Sequence, residues 1–332
     1  MAKSRVLLVG SGGIGTVAAL NLEAGNWADV TSVLRSNHAA VLQKGFTIES
    51  CDHGTVTNWR PTQSIPDPFM PCHPSPPFDY IVCCTKNIPD VPPSLCELIA
   101  PAVTPGQTVI VLVQNGINIE RPLTTQFPNN LVLSGVSRTD AHEIAPAVIH
   151  HKQTDSLDVG PFPHPSIPVA QQEHVAREFV RIYSAGGKTN CRYDASVALN
   201  RWRKLVYNAC LNPICALTGL DTGTLQLDDR SMQTLVKPAM REVIQVAAAL
   251  GHHLPDDIIE TTIASNPVER RISPSMLVDL RKGNLIEHEN LLGEVVREAD
   301  AIGLSVPTLT LLYNLCCAVQ LRTKQSRGPS SV

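Results

Sequence analysis

Short apolar runs alternate with helical stretches through the first half of the chain, and helical spacing fills the second half. Val6, Leu7, Leu8 and Val9 form the first run, and similar ones recur at residues 30–34, 80–84, 109–113 and 131–134. Runs of four or five mostly apolar residues, without strict polar alternation, suit a strand buried on both faces. With helices between them they predict an α/β fold built on a doubly wound parallel sheet. Residues 136–160 have β character and few helix signals. The proline-dense stretch 61–77 cannot form regular helix and reads as a surface excursion.

Beyond Gln171 the apolar positions recur at helical intervals. They predict helices at 174–185, 196–217, 233–250, 287–302 and 307–321, an all-helical second half. Residues 161–168 then read as a boundary, giving domains 1–165 and 166–325. The polar tail that begins at Arg322 reads as frayed, with 326–332 outside both domains.

The first run ends in Gly10, Ser11, Gly12, Gly13, Ile14 and Gly15, followed by the helical positions Val17, Ala18, Leu20 and Leu22. The strand–glycine turn–helix order is that of a dinucleotide-binding fingerprint. The first glycine makes the turn, the second lets backbone N–H groups approach a pyrophosphate, and the third lets the helix pack close to the strand. At the end of the second strand stand Arg35 and Ser36, where an NAD enzyme usually places an acid for the ribose hydroxyls. A guanidinium can grip a 2′-phosphate through two parallel bonds, so the pair favours NADP(H) over a merely solvated arginine.

Composition narrows the partners. A formal net charge of −3 over 332 residues offers no electrostatic case for nucleic acid or an anionic membrane surface. With no signal-peptide pattern and no apolar run of about 18 residues, the expectation is a soluble, cytoplasmic protein. Ten cysteines are present, but Cys83-Cys84 and Cys316-Cys317 fall in apolar segments and read as packing. No spaced Cys/His set resembles a zinc site, so no metal is expected. The pairs His150-His151 and His252-His253 cannot share a helix face and read as surface or loop histidines.

Reduction of a carbonyl leaves negative charge on oxygen and needs a placed cation or acid. Lys204, Asn208 and Asn212 are spaced four apart in a largely apolar stretch, which places them along one face of the helix predicted at 196–217. A solvated face of an amphipathic helix explains the same spacing. Glu287 precedes Leu291, Val295 and Ile302 at near-helical intervals, which sets its carboxylate beside the buried face; a helix N-terminal acid is the plainer alternative. Gln114-Asn115-Gly116 ends the strand at 109–113, and Lys86 follows the one at 80–84. Both occupy the carboxyl rim of the sheet, where α/β proteins bind ligands.

Together these motifs resemble the ketopantoate reductase family. The matching residues are Gly10, Gly12 and Gly15, Arg35, Thr85-Lys86, Gln114-Asn115-Gly116 with Glu120, Lys204, Asn208, Asn212-Pro213, Pro274-Ser275-Met276 with Asp279, Glu287, Gly303 and Pro307. The resemblance implies an N-terminal Rossmann domain, a helical C-terminal domain and a cleft between them. It also implies NADPH as hydride donor to a small 2-oxo acid, first among them ketopantoate reduced to (R)-pantoate in pantothenate biosynthesis. By the same resemblance Lys204 is the general acid and Glu287 orients it or the substrate hydroxyl. Asn208, Asn212 and Ser275 bind substrate, and Asn115 and Lys86 line the junction with the cofactor. A homodimer is compatible with it. Ile286 and Leu292 replace a threonine and an asparagine common among relatives, which leaves room for another ketone or imine substrate. A catalytically idle NADP sensor would need neither Lys204 nor Glu287.

Overall fold

The computed structural model describes residues 2–66 and 75–327. The chain forms two compact units. One comprises Met1–Lys86, Pro93–Gln114 and Ile119–Val197, the other Asn87–Pro92, Asn115–Asn118 and Ala198–Val332.

The first unit carries strands β1 (Ser4–Val9), β2 (Ala28–Leu34), β3 (Phe46–Ser50), β4 (Gly54–Trp59), β5 (Gln63–Pro66), β6 (Tyr80–Cys83), β7 (Val109–Leu112), β8 (Val132–Ser137), β9 (Asp140–Ala145), β10 (Val148–Gln153), β11 (Ser156–Pro161) and β12 (Asn190–Tyr193). Its helices are α1 (Gly13–Ala24), α2 (His38–Lys44), α3 (Leu95–Ile99), α4 (Arg121–Gln126) and α5 (Val169–Ser184). The main sheet runs β12-β11-β8-β7-β6-β1-β2-β5. All its pairings are parallel except β8 with β11.

Val6 to Val9 of β1 are all buried, on alternating faces of the sheet. Val6 and Leu8 pack with α1 and α5 through Ala18, Leu22, Phe179 and Tyr183, while Leu7 and Val9 pack on the opposite face with Ile99 and Leu123. Helices on both faces explain why these strands read as unbroken apolar runs. Chain order reverses beside β1, between β2 on one side and β6 on the other, so the glycine turn leaves the sheet at its switch point.

A second sheet, β4-β3-β10-β9, accounts for the β character after residue 136 and recruits β3 and β4, which the apolar runs do not announce. It covers the outer side of α1, where Leu20 packs with Phe46, Ile48 and Ile149. Part of the expected excursion at 61–77 is the edge strand β5, paired parallel to β2. An edge tolerates Pro66, which has no N–H to donate. Residues 67–74 of that stretch lie outside the described residues.

The second unit is helical: α6 (Val197–Asn208), α7 (Leu211–Thr218), α8 (Thr222–Gln226), α9 (Asp229–Ser231), α10 (Lys237–Ala249), α11 (Ile258–Ala264), α12 (Ser275–Arg281), α13 (Glu294–Ala301) and α14 (Pro307–Arg327). Its core gathers Leu205, Val206, Ile214, Met240, Val243, Leu277, Leu291, Val295 and Leu309. The helix expected at 196–217 is two helices, broken at Ala209 and Cys210. Pro213 has no N–H for the Ala209 carbonyl and would clash with it in a continuous helix.

The helix expected at 287–302 begins later. Glu287 lies in an extended link, a wide π turn spans Glu289–Gly293, and α13 follows. Ile302 is exposed, so it does not share the buried face of Leu291 and Val295. The tail expected to fray from Arg322 continues α14 through Arg327; residues 328–332 lie outside the described residues. Among the described residues no helix is long and apolar enough to cross a membrane.

Candidate active site

In the first unit the glycines divide their work. Gly10 turns the chain with φ of 98°, and a Cβ there would stand 2.5 Å from the Thr85 amide nitrogen. A Cβ on Gly15 would meet the Gly10 carbonyl at 1.8 Å, so α1 seats directly on the turn. Gly13 is as tight for a reason the motif does not state: its Cβ would lie 2.1 Å from the Ala141 carbonyl of β9. Gly12 alone faces open space. No side chain caps α1 and no acid occupies its first turn, which leaves its amide dipoles facing that space. Glycine geometry and helix polarity thus suit an anionic pyrophosphate.

The turn is braced from below. Ser11 donates its hydroxyl to the Val33 carbonyl at 3.1 Å, and buried Asn37 donates to the Ser11 carbonyl at 2.8 Å. Ser11 thereby acts as scaffold rather than as a free phosphate donor. Ile14 is half-buried and packs on the core beneath α1. Arg35 and Ser36 are both exposed just past β2, and Lys86 is exposed just past β6. Gln114 donates to Thr85 through both its carbonyl, 3.0 Å, and its hydroxyl, 2.8 Å. Glu120 is buried and accepts from the Ser134 hydroxyl at 2.6 Å.

In the second unit, half-buried Lys204 on α6 donates to Asn115 Oδ1 at 2.7 Å. Asn115 is held by its neighbours. Gly116 has φ of 102° and approaches Asn290 so closely that a Cβ would lie 2.6 Å from the Asn290 Cβ. Buried Arg201 donates to the Gly116 carbonyl at 3.0 Å, Ile117 N–H donates to the Asn290 carbonyl, and Asn118 reaches Glu294 and Glu298. Asn290 Oδ1 is buried with no hydrogen-bond partner among the described residues.

The predicted substrate groups separate into two kinds. Asn208, one helical turn on from Lys204 in α6, is 5% exposed. Asn212 is spent locally: it donates to Ser275 Oγ at 3.3 Å and accepts from the Met276 N–H at 2.9 Å, capping α12 from outside. The single-helix face that was to align Lys204, Asn208 and Asn212 does not exist, since Asn212 belongs to α7.

Glu287, also 5% exposed, accepts the Asn87 N–H at 3.0 Å. Gln320 on α14 secures both peptides of this contact. It accepts the Ile286 N–H at 3.0 Å and donates to Asp90 Oδ2 at 3.2 Å, and Lys324 pairs with the same carboxylate at 2.7 Å. Beside Glu287 a second cluster forms. Glu289 receives the Tyr313 hydroxyl at 2.9 Å and Arg297 at 2.9 Å, with the His288 ring 3.3 Å away. Those donors, His288 foremost, hold its carboxyl down at about 2 against burial, which acts the other way.

Arg201, Asn290, Asp90 and Gln320 escape a reading from the chain alone. Arg201 was visible as the cation three positions before Lys204. The others bond to backbone of distant segments and leave no spacing signal.

His151 also departs from expectation. It is buried, with Nδ1 2.8 Å from Ser50 Oγ, rather than on the surface or in a loop. The cysteines behave as packing groups in the main: Cys83, Cys210, Cys215 and Cys316 are buried and free, and burial pushes the Cys84 and Cys215 thiols up to about 12.

Comparison with known proteins follows the same division of the chain. Residues 6–164 match the family model described as ketopantoate reductase PanE/ApbA, and residues 196–320 match its C-terminal model. The uncharacterized protein YDL144C of Saccharomyces cerevisiae is 37% identical over 98% of this chain and 96% of its own. The crystal structure of 2-dehydropantoate 2-reductase from Methylococcus capsulatus superposes with a TM-score of 0.80 at 30% identity, covering 96% of this chain and 98% of that one. A D-mandelate dehydrogenase solved with NADH and anilino(oxo)acetate shares the fold with a TM-score of 0.82 at 17% identity, covering 96% and 99%. With both halves matched in order by the family's models, the chain belongs to the ketopantoate reductase family.

Proposed function

We propose that the protein is an NADPH-dependent reductase of a small 2-oxo acid, with 2-dehydropantoate the first substrate to test. The observation that carries this reading is the Lys204 ammonium held by Asn115 Oδ1 at 2.7 Å, one helical turn from the buried Asn208.

The nicotinamide, when bound, supplies the hydride. The glycine turn and the amino end of α1 hold the pyrophosphate, and Arg35 with Ser36 reads the 2′-phosphate. Lys86 contributes to the cofactor rim. Lys204 stabilises the developing alkoxide and supplies its proton, while Asn115 aims the ammonium. Glu287 orients the substrate hydroxyl, Asn208 binds substrate directly, and Asn212 fixes Ser275 for the carboxylate.

The deciding experiment follows NADPH oxidation with a panel of 2-oxo acids. Saturable turnover of 2-dehydropantoate above the other ketones supports the pantoate assignment, and preference for another member moves it elsewhere. Buried, apolar Ile286 directly before Glu287 favours the second reading, a more apolar 2-oxo acid or an imine. Absence of turnover across the panel, with NADPH still bound, overturns the 2-oxo-acid assignment.

A further inference from the structure

A cluster far from Lys204 in the chain has the donor set of a transition-metal centre. Cys51 and Asp52 occupy the turn after β3, and His151 lies on the neighbouring strand β10, in the first unit. The Cys51 amide donates to the His151 carbonyl at 3.0 Å, which ties the turn to the strand. Cys51 Sγ stands 4.0 Å from His151 Nε2 and 3.7 Å from Asp52 Oδ1, and Asp52 Oδ2 stands 3.7 Å from the same imidazole nitrogen. Donors around a tetrahedral zinc, with bonds of about 2.0–2.3 Å, sit roughly 3.3–3.6 Å apart. Each separation exceeds that spacing by only a few tenths of an ångström, one carboxylate oxygen facing the thiol and the other the imidazole, and the exposed Cys51 is the side chain with room to adjust.

The groups behind the donors are also in place. Asp52 Oδ2 accepts the Asp155 N–H at 2.8 Å, and His151 Nδ1 lies 2.8 Å from Ser50 Oγ. Such contacts fix the carboxylate and the ring while leaving the other imidazole nitrogen for a metal. We propose that Cys51, Asp52 and His151 bind one divalent ion of the zinc class, with water in the fourth position. Thiolate, imidazole and carboxylate together select zinc or cobalt over magnesium or calcium. On binding, the Cys51 thiol releases its proton to solvent. The imidazole gives its Nε2 lone pair to the ion, with Nδ1 beside Ser50 Oγ.

The related grouping of His288, Glu289 and Cys317 is a poorer candidate, because Arg297 and Tyr313 already occupy its carboxylate. At the first cluster the ion would fasten the second sheet to α1, since Asp155 also accepts from Asn21 at 2.9 Å.

The test is a cobalt(II) titration of the full-length, tag-free, reduced protein, followed by zinc(II). Expected is a thiolate-to-cobalt charge-transfer band that saturates at one equivalent and disappears when zinc replaces cobalt. Cys51→Ser, exposed and hence mild for folding, abolishes the band and weakens zinc binding by at least about tenfold. His151→Asn does the same if its circular dichroism matches the parent. No band at stoichiometric cobalt, or a band that persists in Cys51→Ser, overturns the proposal.

Discussion

The Lys204 ammonium donates to Asn115 Oδ1 across 2.7 Å, linking a residue inside α6 to one that directly follows Gln114 at the end of the β7 run. A lysine has four rotatable bonds, so a fixed acceptor is what turns a mobile charge into an aimed one.

Removing the amine tests the proton donor. Lys204→Ala lowers kcat by about 10²–10⁴-fold with nucleotide affinity retained. Asn115→Ala, which keeps the amine but not its aim, lowers kcat by about tenfold. Steady-state kinetics with isothermal titration of NADPH separates the two effects; near-parental kcat in Lys204→Ala removes the lysine from the acid role.

Cofactor selectivity rests on the exposed pair after β2. Arg35→Ala should weaken NADPH by about 10–100-fold while NADH changes little, because only NADPH presents a phosphate to the guanidinium. Equal losses for both nucleotides, read by fluorescence titration, contradict phosphate recognition.

The glycine turn allows folding and binding to be separated. Gly12→Ala meets nothing within 4 Å and should leave the Tm nearly unchanged, yet raise the NADPH Kd by about tenfold by intruding on the anion's approach. Gly15→Ala places a Cβ 1.8 Å from the Gly10 carbonyl and should destabilise the fold outright. A Gly12→Ala protein that binds NADPH normally would count against the pyrophosphate placement.

Acid stability should report on Glu289. Its folded carboxyl is held at about 2, below its ordinary 4.5, by His288, Arg297 and Tyr313. The lowered value makes its contribution fully present above pH 4.5 and lost as pH falls toward 2. Denaturant midpoints measured from pH 6 down to pH 2.5 should therefore fall less steeply in Glu289→Gln than in the parent. Parallel profiles would show that the cluster carries no linkage.

The buried Gln320 clamp makes a separate demand on α14. Gln320→Leu strands the Ile286 N–H and removes a donor from Asp90, whose Oδ1 is already buried without a partner among the described residues. Unfolding free energy should drop by about 1–3 kcal/mol, with Gln320→Glu unable to restore the donor. Full stability in Gln320→Leu would show that the clamp is redundant.

Strands buried on both faces were legible in the chain, since β6, β7 and the second part of β1 are apolar throughout and β2 and β8 are mostly so. The second sheet was not: β3 buries only Phe46 and Ile48, and so short an alternation does not stand out from loop sequence. Lys204, Glu287 and Asn115 stood out as polar groups in apolar stretches or at a strand's carboxyl end, and Lys204 does meet Asn115. The helix break was signalled by Pro213 but outweighed by four-residue spacing on either side of it. His151 was misjudged because its partners Ser50 and Asp52 lie about a hundred positions earlier, and adjacency to His150 says nothing of a strand's buried face.

The backbone enters the helical unit three times, through Asn87–Pro92, Asn115–Asn118 and then Ala198–Val332. The two brief visits bring the Gly116 carbonyl to Arg201 and the Asp90 carboxylate to Gln320 and Lys324. A fragment starting at Ala198 would keep Arg201, Gln320 and Lys324 but lose the Gly116 carbonyl and the Asp90 carboxylate that pair with them, so it should be less stable than the same residues within the whole chain.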